Sequence, residues 1–534
     1  MPSSSYDYLI IGAGPAGLQL GYFLQKSERT YLIVEVAESP GSFYASLPRH
    51  GKMISINKIY TGYDTPETRL RYDWNSLLCD NPELLVRNYS SLYFPWTSEY
   101  KWYLEDFALH YQLNISYRTR ITEVTKQNDG FVVSDQTGKS YLCKSLIVAT
   151  GLGLNPYIPE IPGIELGEHY LHYSIDPEDY KDQRVLIIGK GNAAFETANA
   201  LAATARMLHL CSPTSVKMAW ETHFMGHVRT VNTEFIDTYY LKGQNALLDA
   251  RIEKLERCPE GIVASVVYSH ASGQTMQILY DRVLLCTGFR FDTSIFDDTC
   301  HPELTYKGKL PAMTCEWEST NVKNLYFAGT LTQMRDYQKT MSNVVHGFRF
   351  NTLFLSQLLA YKYYNAAFPY HEIRSDVVEI AQYILKRFSE TAALFLQPGF
   401  FCDLLVLLPQ AQKVHCFANV PLDYVYEKWL EGGGHYYTLS LEYGHYEGSP
   451  RHMVRDPDPN HAHDDIYLHP VVRHFIDATQ VAELHLPENL ENSWLPGKHA
   501  FIRTTEVPGK FSAEDMLGYD QQLLAFLHRQ LALL

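Results

Sequence analysis

The chain has 534 residues, more than the roughly 100–200 of one ordinary domain, so two or three domains are expected. Hydrophobic residues make up 46% and charged residues 20%, which is typical of a folded globular protein and excludes a largely disordered chain. The formal net charge is −15 and no run of lysine or arginine occurs, which argues against nucleic-acid binding.

The first motif is a glycine-rich turn between two apolar segments. Residues 8–11 predict a buried parallel strand, residues 18–25 a helix and residues 31–35 a second strand. Between strand and helix lies the dinucleotide-binding spacing, in which the glycines allow a sharp turn, close approach to a pyrophosphate, and packing of helix on strand. An acid at the end of the second strand can accept hydrogen bonds from a ribose diol. We therefore predict an FAD site that includes Gly12, Gly14, Gly17 and Glu35.

A second turn of the same kind follows later in the chain. Residues 185–188 predict a strand, residues 195–204 a helix and residues 207–210 the next strand. The turn has an alanine at the position of the third glycine, which this motif allows. We expect the turn to bind a nicotinamide dinucleotide through Gly189, Gly191, Asn192 and Ala194.

The strand after the second turn ends without an acid. A carboxylate there usually binds the 2′-hydroxyl of NAD, so its absence leaves room for a 2′-phosphate. Ser212 and Lys217 are the candidate contacts, although no arginine follows directly. We therefore expect NADPH, with NADH as the alternative.

Three further apolar segments, residues 146–151, 283–288 and 325–330, end in small residues and predict strands of the same two sheets. We predict an α/β fold with two Rossmann-like domains, the NAD(P)H domain inserted into the FAD domain, and a mixed α+β domain at the end. The predicted boundaries are residues 1–155 and 290–365 for FAD, 156–289 for NAD(P)H and 366–534 for the C-terminal domain.

The remaining composition excludes several functional classes. The nine cysteines contain no C-x-x-C pair, so the dithiol of a thioredoxin-reductase-like enzyme is missing. No signal peptide and no membrane span is recognised, and we expect a cytoplasmic protein. A loop with His461, His463, Asp464 and Asp465 carries metal-ligand types, but a solvated loop is the better interpretation, and no metal is expected.

These motifs resemble those of known flavoproteins. The two turns, Glu35 and the 149–151 strand end resemble flavin-containing monooxygenases, and further stretches are similar to the FAD-dependent oxidoreductase domain-containing protein 2 family over nearly the whole chain. The stretches that carry this second likeness are residues 48–50, 54–58, 73–78, 176–179, 195–198, 336–339, 346–349, 441–444 and 468–470, with Trp220 and His223.

This resemblance implies several site residues. It places Asn57 beside the isoalloxazine ring, where an amide can hold a peroxyflavin oxygen, whereas the residue type alone allows a simple turn asparagine. We expect Trp220 and His223 to lie near the substrate and nicotinamide, although Trp220 could equally belong to the core. The further cofactor contacts that we expect are Ser42, Arg49, Val124, Gly151, Gly329, His346 and Gly347.

The chain also departs from these families. The signature of flavin-containing monooxygenases, F-x-G-x-x-x-H-x-x-x-(F/Y), would fall at residues 166–180. Here Gly167 and His172 are one residue too far apart, and Asp176 replaces the aromatic residue. Resemblance to the second family would imply a role in glycoprotein degradation in the endoplasmic reticulum. The chain ends Leu-Ala-Leu-Leu rather than in an endoplasmic-reticulum retention signal, so we do not carry this role over.

We predict an FAD- and NAD(P)H-dependent monooxygenase that oxygenates a nitrogen, sulfur or carbon of a small molecule with O₂ through a C4a-peroxyflavin. The alternatives are an oxidoreductase or oxidase without oxygenation, a peroxyflavin-based halogenase, and a non-enzymatic partner-binding flavoprotein. No nucleic acid or membrane is expected as a partner. The sequence specifies neither the substrate nor the oligomeric state.

Overall fold

The first module carries the first glycine turn on a largely parallel sheet. The computed structural model describes residues 4–63, 65–152, 155–241, 245–444, 459–464, 466–496 and 518–532. In this module β3, β2, β1 and β6 are parallel neighbours, and β5 and β4 extend the sheet in antiparallel fashion. The strands are β1 (Ser4–Ile11), β2 (Tyr31–Val34), β3 (Ile115–Ser116), β4 (Ile121–Gln127), β5 (Gly130–Asp135) and β6 (Ser140–Val148). The helices are α1 (Pro15–Lys26), α2 (Ser42–Ser46), α3 (Pro66–Leu70) and α4 (Thr97–His110).

The second module repeats this plan around the second turn. Strands β10, β9, β8, β13 and β7 are parallel in that order, and β11 and β12 continue from β10 in antiparallel fashion. Its strands are β7 (Glu168–His169), β8 (Arg184–Ile188), β9 (Met207–Ser212), β10 (Asn245–Cys258), β11 (Gly261–Tyr268), β12 (Thr275–Tyr280) and β13 (Arg282–Leu285). Its helices are α5 (Asn192–Leu201), α6 (Ala219–Thr222) and α7 (Glu234–Tyr240). Helix α5 thus begins three residues earlier than the apolar pattern predicts, because Gly191 is its N-cap.

After the second module the chain returns to the first sheet. Strands β14 (Leu304–Thr305) and β15 (Leu310–Pro311) form a small hairpin, and β16 (Leu325–Phe327) pairs in parallel with β6. The long helix α8 (Val345–Tyr364) then packs against α1, where the Gln19 side chain donates a hydrogen bond to the Arg349 carbonyl at 2.5 Å. The first sheet is therefore completed by residues that follow the second module.

The last part of the chain adds a six-stranded antiparallel sheet, ordered β17-β19-β18-β20-β21-β22. The buried guanidinium of Arg71 in the first module donates to the carbonyls of Phe388 at 2.6 Å and Thr391 at 3.0 Å, so this sheet and its helices share one core with the first module. The predicted fold class is thereby confirmed. The strands are β17 (His371–Arg374), β18 (Phe401–Leu408), β19 (Lys413–Pro421), β20 (His435–Tyr443), β21 (Leu468–Ile476) and β22 (Thr479–His485). The helices are α9 (Val377–Glu390), α10 (Ala392–Leu396), α11 (Leu422–Tyr424) and α12 (Tyr519–Leu531). Among the described residues, no helix combines the length and hydropathy that crossing a membrane requires.

Candidate cofactor sites and their junction

The first glycine turn has the shape that a dinucleotide needs. Gly12 has φ +106°, and a β-carbon there would lie 2.8 Å from the Ala149 carbonyl oxygen. A β-carbon on Gly17 would lie well inside 3.0 Å of the Gly12 carbonyl oxygen, so α1 packs on β1 only without a side chain. Gly14, the N-cap of α1, has no protein atom within 4 Å of where its β-carbon would stand. The space above Gly14 therefore fits a pyrophosphate at the positive end of α1.

Glu35 is buried beside this turn. One carboxylate oxygen accepts a hydrogen bond from the Ala13 N–H at 2.8 Å, and the other accepts from the Ala37 N–H and the Ser42 hydroxyl, both at 3.0 Å. A carboxylate has about four acceptor positions, so one is left for a ribose hydroxyl. The predicted residues Glu35 and Ser42 thus come together around the turn.

The start of α8 meets the first module near the same turn. Gly329 has φ +70°, and its β-carbon would stand 2.8 Å from that of Ala16 on α1. Gly347 packs so closely on the Met341 carbonyl that no side chain would fit. Two polar atoms here are buried and have no hydrogen-bond partner among the described residues: Oδ1 of Asn343 and Nδ1 of His346. These two atoms are left for polar groups of a bound cofactor.

Two of the other expected FAD contacts have different surroundings. Gly151 has φ +64° with open space around its α-carbon, as an approach to a ligand requires. Val124 is fully buried, and its N–H and carbonyl bond to the main chain of Ile295 and Asp297. Only its apolar side chain is left for any contact with a cofactor.

Arg49 joins the two modules. Its guanidinium donates to the carbonyls of Tyr170 at 2.7 Å and Tyr173 at 2.6 Å, and its N–H donates to the Tyr170 hydroxyl at 3.0 Å. The neighbouring Leu47 is buried in the core of the second module. The Tyr170 hydroxyl also donates to Glu196 on α5, whose pKa is raised to about 7 by burial, against the opposing effect of Tyr170 and Arg49. Arg49 therefore holds the modules together, a role that its sequence motif does not predict.

The second glycine turn repeats the first geometry. Gly189 has φ +127°, and the Cys286 carbonyl leaves no room for a side chain there. Gly191 is open, with no protein atom within 4 Å of a β-carbon position. Ala194 is fully buried, so α5 packs on its strand as the motif predicts. The space above Gly191 thus fits a second pyrophosphate.

An ion pair that sequence reasoning missed lies next to the end of β9. Asp249 on β10 is in register with Ser212, and its carboxylate pairs with the buried Lys190 ammonium and accepts from the Ser215 hydroxyl. Burial raises the pKa of Asp249, but the hydrogen bonds from Lys190 and Ser215 bring it below its ordinary value. The Ser212 hydroxyl donates to the Thr214 carbonyl at 3.0 Å. The neighbouring strand β10 therefore supplies an acid, Asp249, beside Ser212, and Lys190 of the glycine turn neutralises its charge.

Lys217 is exposed on the loop that follows Ser212. Its positive charge contributes to lowering the pKa of nearby His227, although burial is the larger cause. Its ammonium can thus reach solvent or a ligand on this side of the second module.

A short chain of contacts links the second turn to the start of α8. Asn192 directly follows Gly191, and its side-chain oxygen Oδ1 accepts from the Arg229 main-chain N–H at 2.9 Å. The Arg229 guanidinium lies 5.3 Å from the Trp74 ring and donates to the Ile54 carbonyl at 3.3 Å. The Trp74 ring in turn packs against the His346 ring, with centroids 4.3 Å apart and the ring planes tilted by 35°. We call Trp74, Arg229 and His346 the junction.

Burial and the nearby Arg349 and Arg229 lower the pKa of His346 well below its ordinary value. The His346 ring is therefore neutral at physiological pH. The junction thus carries one cation, Arg229, on the Trp74 ring.

Asn57 lies close to the junction, because its main chain pairs with that of Asp73, the residue before Trp74. It is buried, and its amide N–H groups donate to the carbonyls of Ser90 at 2.9 Å and Leu92 at 3.3 Å. Its Oδ1 has no partner among the described residues. A role beside the flavin remains a prediction, and in this arrangement the free group of Asn57 is an acceptor rather than a donor.

The two expected substrate residues lie on α6 and directly after it. Trp220 is 46% exposed, whereas the His223 ring stacks on Tyr443 at 3.7 Å. Tyr443 ends β20, so His223 joins the second module to the C-terminal sheet. Burial lowers the pKa of His223, and the stacked ring is uncharged near neutral pH.

The histidine-rich loop forms a 3-10 turn, Pro459–Asp464, with His463 3.2 Å from the Asp464 carboxylate. Asp465 lies outside the described residues. Within the ranges that the structure describes, no three His, Cys, Asp or Glu side chains come together as metal ligands would.

Comparison with known proteins agrees with this geometry. The family described as pyridine nucleotide-disulphide oxidoreductase matches residues 9–329, which include both glycine turns. The chain belongs to this family. It is also 33% identical to FAD-dependent oxidoreductase domain-containing protein 2 of Mus musculus over 539 residues, which span 94% of this chain and 79% of the relative. The resemblance stated from the sequence is confirmed, and the chain is a flavin-dependent oxidoreductase of a family that uses FAD and a pyridine nucleotide.

Solved structures share the fold of the two modules. A bacillithiol disulfide reductase from Staphylococcus aureus aligns with a TM-score of 0.51 at 19% identity, covering 67% of this chain and 99% of that chain. A flavin monooxygenase from Stenotrophomonas maltophilia aligns with a TM-score of 0.50 at 22% identity, covering 68% of this chain and 100% of that chain. At these identities the likeness concerns the fold alone, and the reaction must be argued from the residues.

Proposed function

We propose that this flavoenzyme uses NADPH to reduce FAD and then uses O₂ to oxygenate a small molecule. The observation that carries the proposal is the contact chain from Asn192 at the second turn, through Arg229 and Trp74, to His346 at the start of α8. It links the second module to α8, which packs on the helix of the first turn, and so supports transfer between the ring ends of two bound dinucleotides.

The residues of the chain have distinct tasks in this proposal. The backbone around Gly14 and Gly191 holds the two pyrophosphates at helix N-termini. FAD, when bound, supplies the redox chemistry and the reaction with O₂. Arg49 keeps the modules in one orientation through its bonds to Tyr170 and Tyr173. Neutral His346 offers Nδ1 for one hydrogen bond at the start of α8.

The cysteines favour O₂ over a disulfide as the electron acceptor. The nine cysteines contain no C-x-x-C pair, and all nine are free thiols. Burial raises the pKa of Cys286, beside the second turn, to about 12, so it is a protonated and poorly nucleophilic thiol. The relay that would carry electrons to a disulfide substrate is therefore missing.

NADPH rather than NADH is proposed from the charges beside Ser212. The acid in reach, Asp249, is paired with Lys190, and exposed Lys217 is left to meet a 2′-phosphate. Since a phosphate carries more charge than a hydroxyl, Lys217 should favour the phosphorylated cofactor.

The test uses the purified, FAD-loaded chain. Anaerobic mixing with NADPH should bleach the flavin faster than mixing with NADH. Admission of oxygen-18-labelled O₂ with a panel of amines and thioethers should then give labelled product. Gly191→Trp, which fills the open space of the second turn, should keep FAD but lose NADPH-dependent bleaching. Bleaching without labelled product, and with one H₂O₂ per NADPH for every compound, would instead establish an oxidase.

A further inference from the structure

A cavity of about 180 Å³ lies outside both glycine turns, between residues 57–61, α3 and residues 77–87. Its lining includes the apolar side chains of Leu70, Leu77 and Leu85. It also includes three cations, Lys58, Arg69 and Arg87. Asn57 also lines this cavity, whereas the glycine turns and the junction residues do not.

The cations lack anionic partners in the part of the chain that the structure describes. Arg69 and Arg87 are half-buried, and neither guanidinium forms an ion pair or hydrogen bond with a described residue. Nε of Arg69 is fully buried without an acceptor. Leaving the buried Nε–H of Arg69 without an acceptor is costly, and an anion in the cavity would offset that cost.

The acids of the lining do not fill this need. The Asp73 carboxylate accepts from the N–H groups of Asn75 at 3.0 Å and Ser76 at 2.9 Å. The Asp80 carboxylate accepts from Lys26 at 2.6 Å and from the Tyr111 hydroxyl at 2.7 Å. Both acids are thus hydrogen-bonded elsewhere, and the lining carries three cations against two acids although the chain has a net charge of −15.

We propose that this cavity binds a small organic carboxylate whose apolar part is a single ring or a short chain. The planar guanidinium groups of Arg69 and Arg87 match a carboxylate, and the leucines face the apolar part. The size agrees, since a cavity of about 150 Å³ accommodates benzene. Binding requires neither FAD nor NADPH, so this inference goes beyond the proposed function and can fail or succeed independently of it.

The test is isothermal titration calorimetry of the full-length protein with phenylacetate, with its neutral counterpart 2-phenylethanol, and with inorganic phosphate. Phenylacetate should bind at least about tenfold more tightly than either of the others, because only it can both pair with the cations and pack on the apolar lining. Equal binding of the alcohol would overturn the role of the cations. Tighter binding of inorganic phosphate would overturn the role of the apolar lining.

Matched variants locate the binding site. Arg69→Gln and Arg87→Gln should each weaken phenylacetate binding about tenfold or more. Arg257 is exposed on β10 of the second module, and Arg257→Gln should leave binding unchanged. Thermal denaturation of each variant verifies that it is folded. If phenylacetate does not bind the natural protein, or binds folded Arg69→Gln and Arg87→Gln as tightly as the natural protein, the proposal is wrong.

Discussion

Replacing Gly14 by alanine should weaken FAD binding with little effect on the stability of the apoprotein. Gly14 has φ −74°, and its β-carbon would meet no protein atom within 4 Å, so an alanine fits the apoprotein without strain. Alanine is a slightly poorer N-cap than glycine, which should change the free energy of unfolding by less than about 1 kcal/mol. If the pyrophosphate passes over Gly14, the added methyl group displaces it from the backbone N–H groups. Loss of one charge-assisted hydrogen bond, about 1.5–3 kcal/mol, weakens binding roughly ten- to hundredfold.

Gly17→Ala is the matched comparison. Its β-carbon would overlap the Gly12 carbonyl oxygen, so α1 must move away from β1 whether or not FAD is present. Such overpacking costs about 1–3 kcal/mol and should lower the Tm of the apoprotein as well as FAD affinity. The assay is thermal denaturation of flavin-free protein, followed by FAD titration with flavin fluorescence. If Gly14→Ala keeps the natural FAD affinity, or destabilises the apoprotein as much as Gly17→Ala, the placement of the pyrophosphate is refuted.

Three further substitutions test other parts of the site. Lys217→Ala should lower the NADPH/NADH ratio of kcat/KM about tenfold or more, and an unchanged ratio would remove Lys217 as the phosphate contact. The pKa of Glu196, about 7, lies above its ordinary 4.5, so its contribution to stability is full below 4.5 and is lost as the pH rises through 7. Glu196→Gln should therefore flatten the fall in Tm from about pH 5 to about pH 8, and a parallel fall in both proteins would contradict the assigned pKa. Asn57→Leu removes the free Oδ1, which is the group of this side chain left to accept from a peroxide O–H. It should keep the rate of flavin reduction by NADPH but raise H₂O₂ release about fivefold or more, whereas slow reduction with unchanged peroxide would assign Asn57 to the nicotinamide side.

Features that depend on local chain geometry could be predicted from the sequence. The positive φ values of Gly12 and Gly189, and the tight packing at Gly17, follow from turns between strand and helix that only glycine permits. The buried strands on either side were predictable because parallel strands are continuously apolar. These features fix the fold class and the places where two dinucleotides fit.

Features that depend on contacts between distant segments could not be predicted. Arg49 lies 121 residues before Tyr170, and nothing in its own motif shows that its guanidinium crosses to the second module. Likewise, Asp249 is 37 residues from Ser212 in the chain, and it stands beside Ser212 only because β10 pairs with β9. One sequence shows no such register, so the acid that appeared to be missing was found only in the structure.

The central claim, that the enzyme holds oxygen for transfer to a substrate, is tested most directly by the timing of two signals. FAD-loaded protein is reduced anaerobically with NADPH and then mixed with O₂, while O₂ uptake and H₂O₂ release are both recorded. We predict that O₂ uptake is complete before H₂O₂ appears, and that adding an oxidisable substrate in the interval suppresses the peroxide. H₂O₂ release that follows O₂ uptake without delay, and that no substrate suppresses, would contradict the claim.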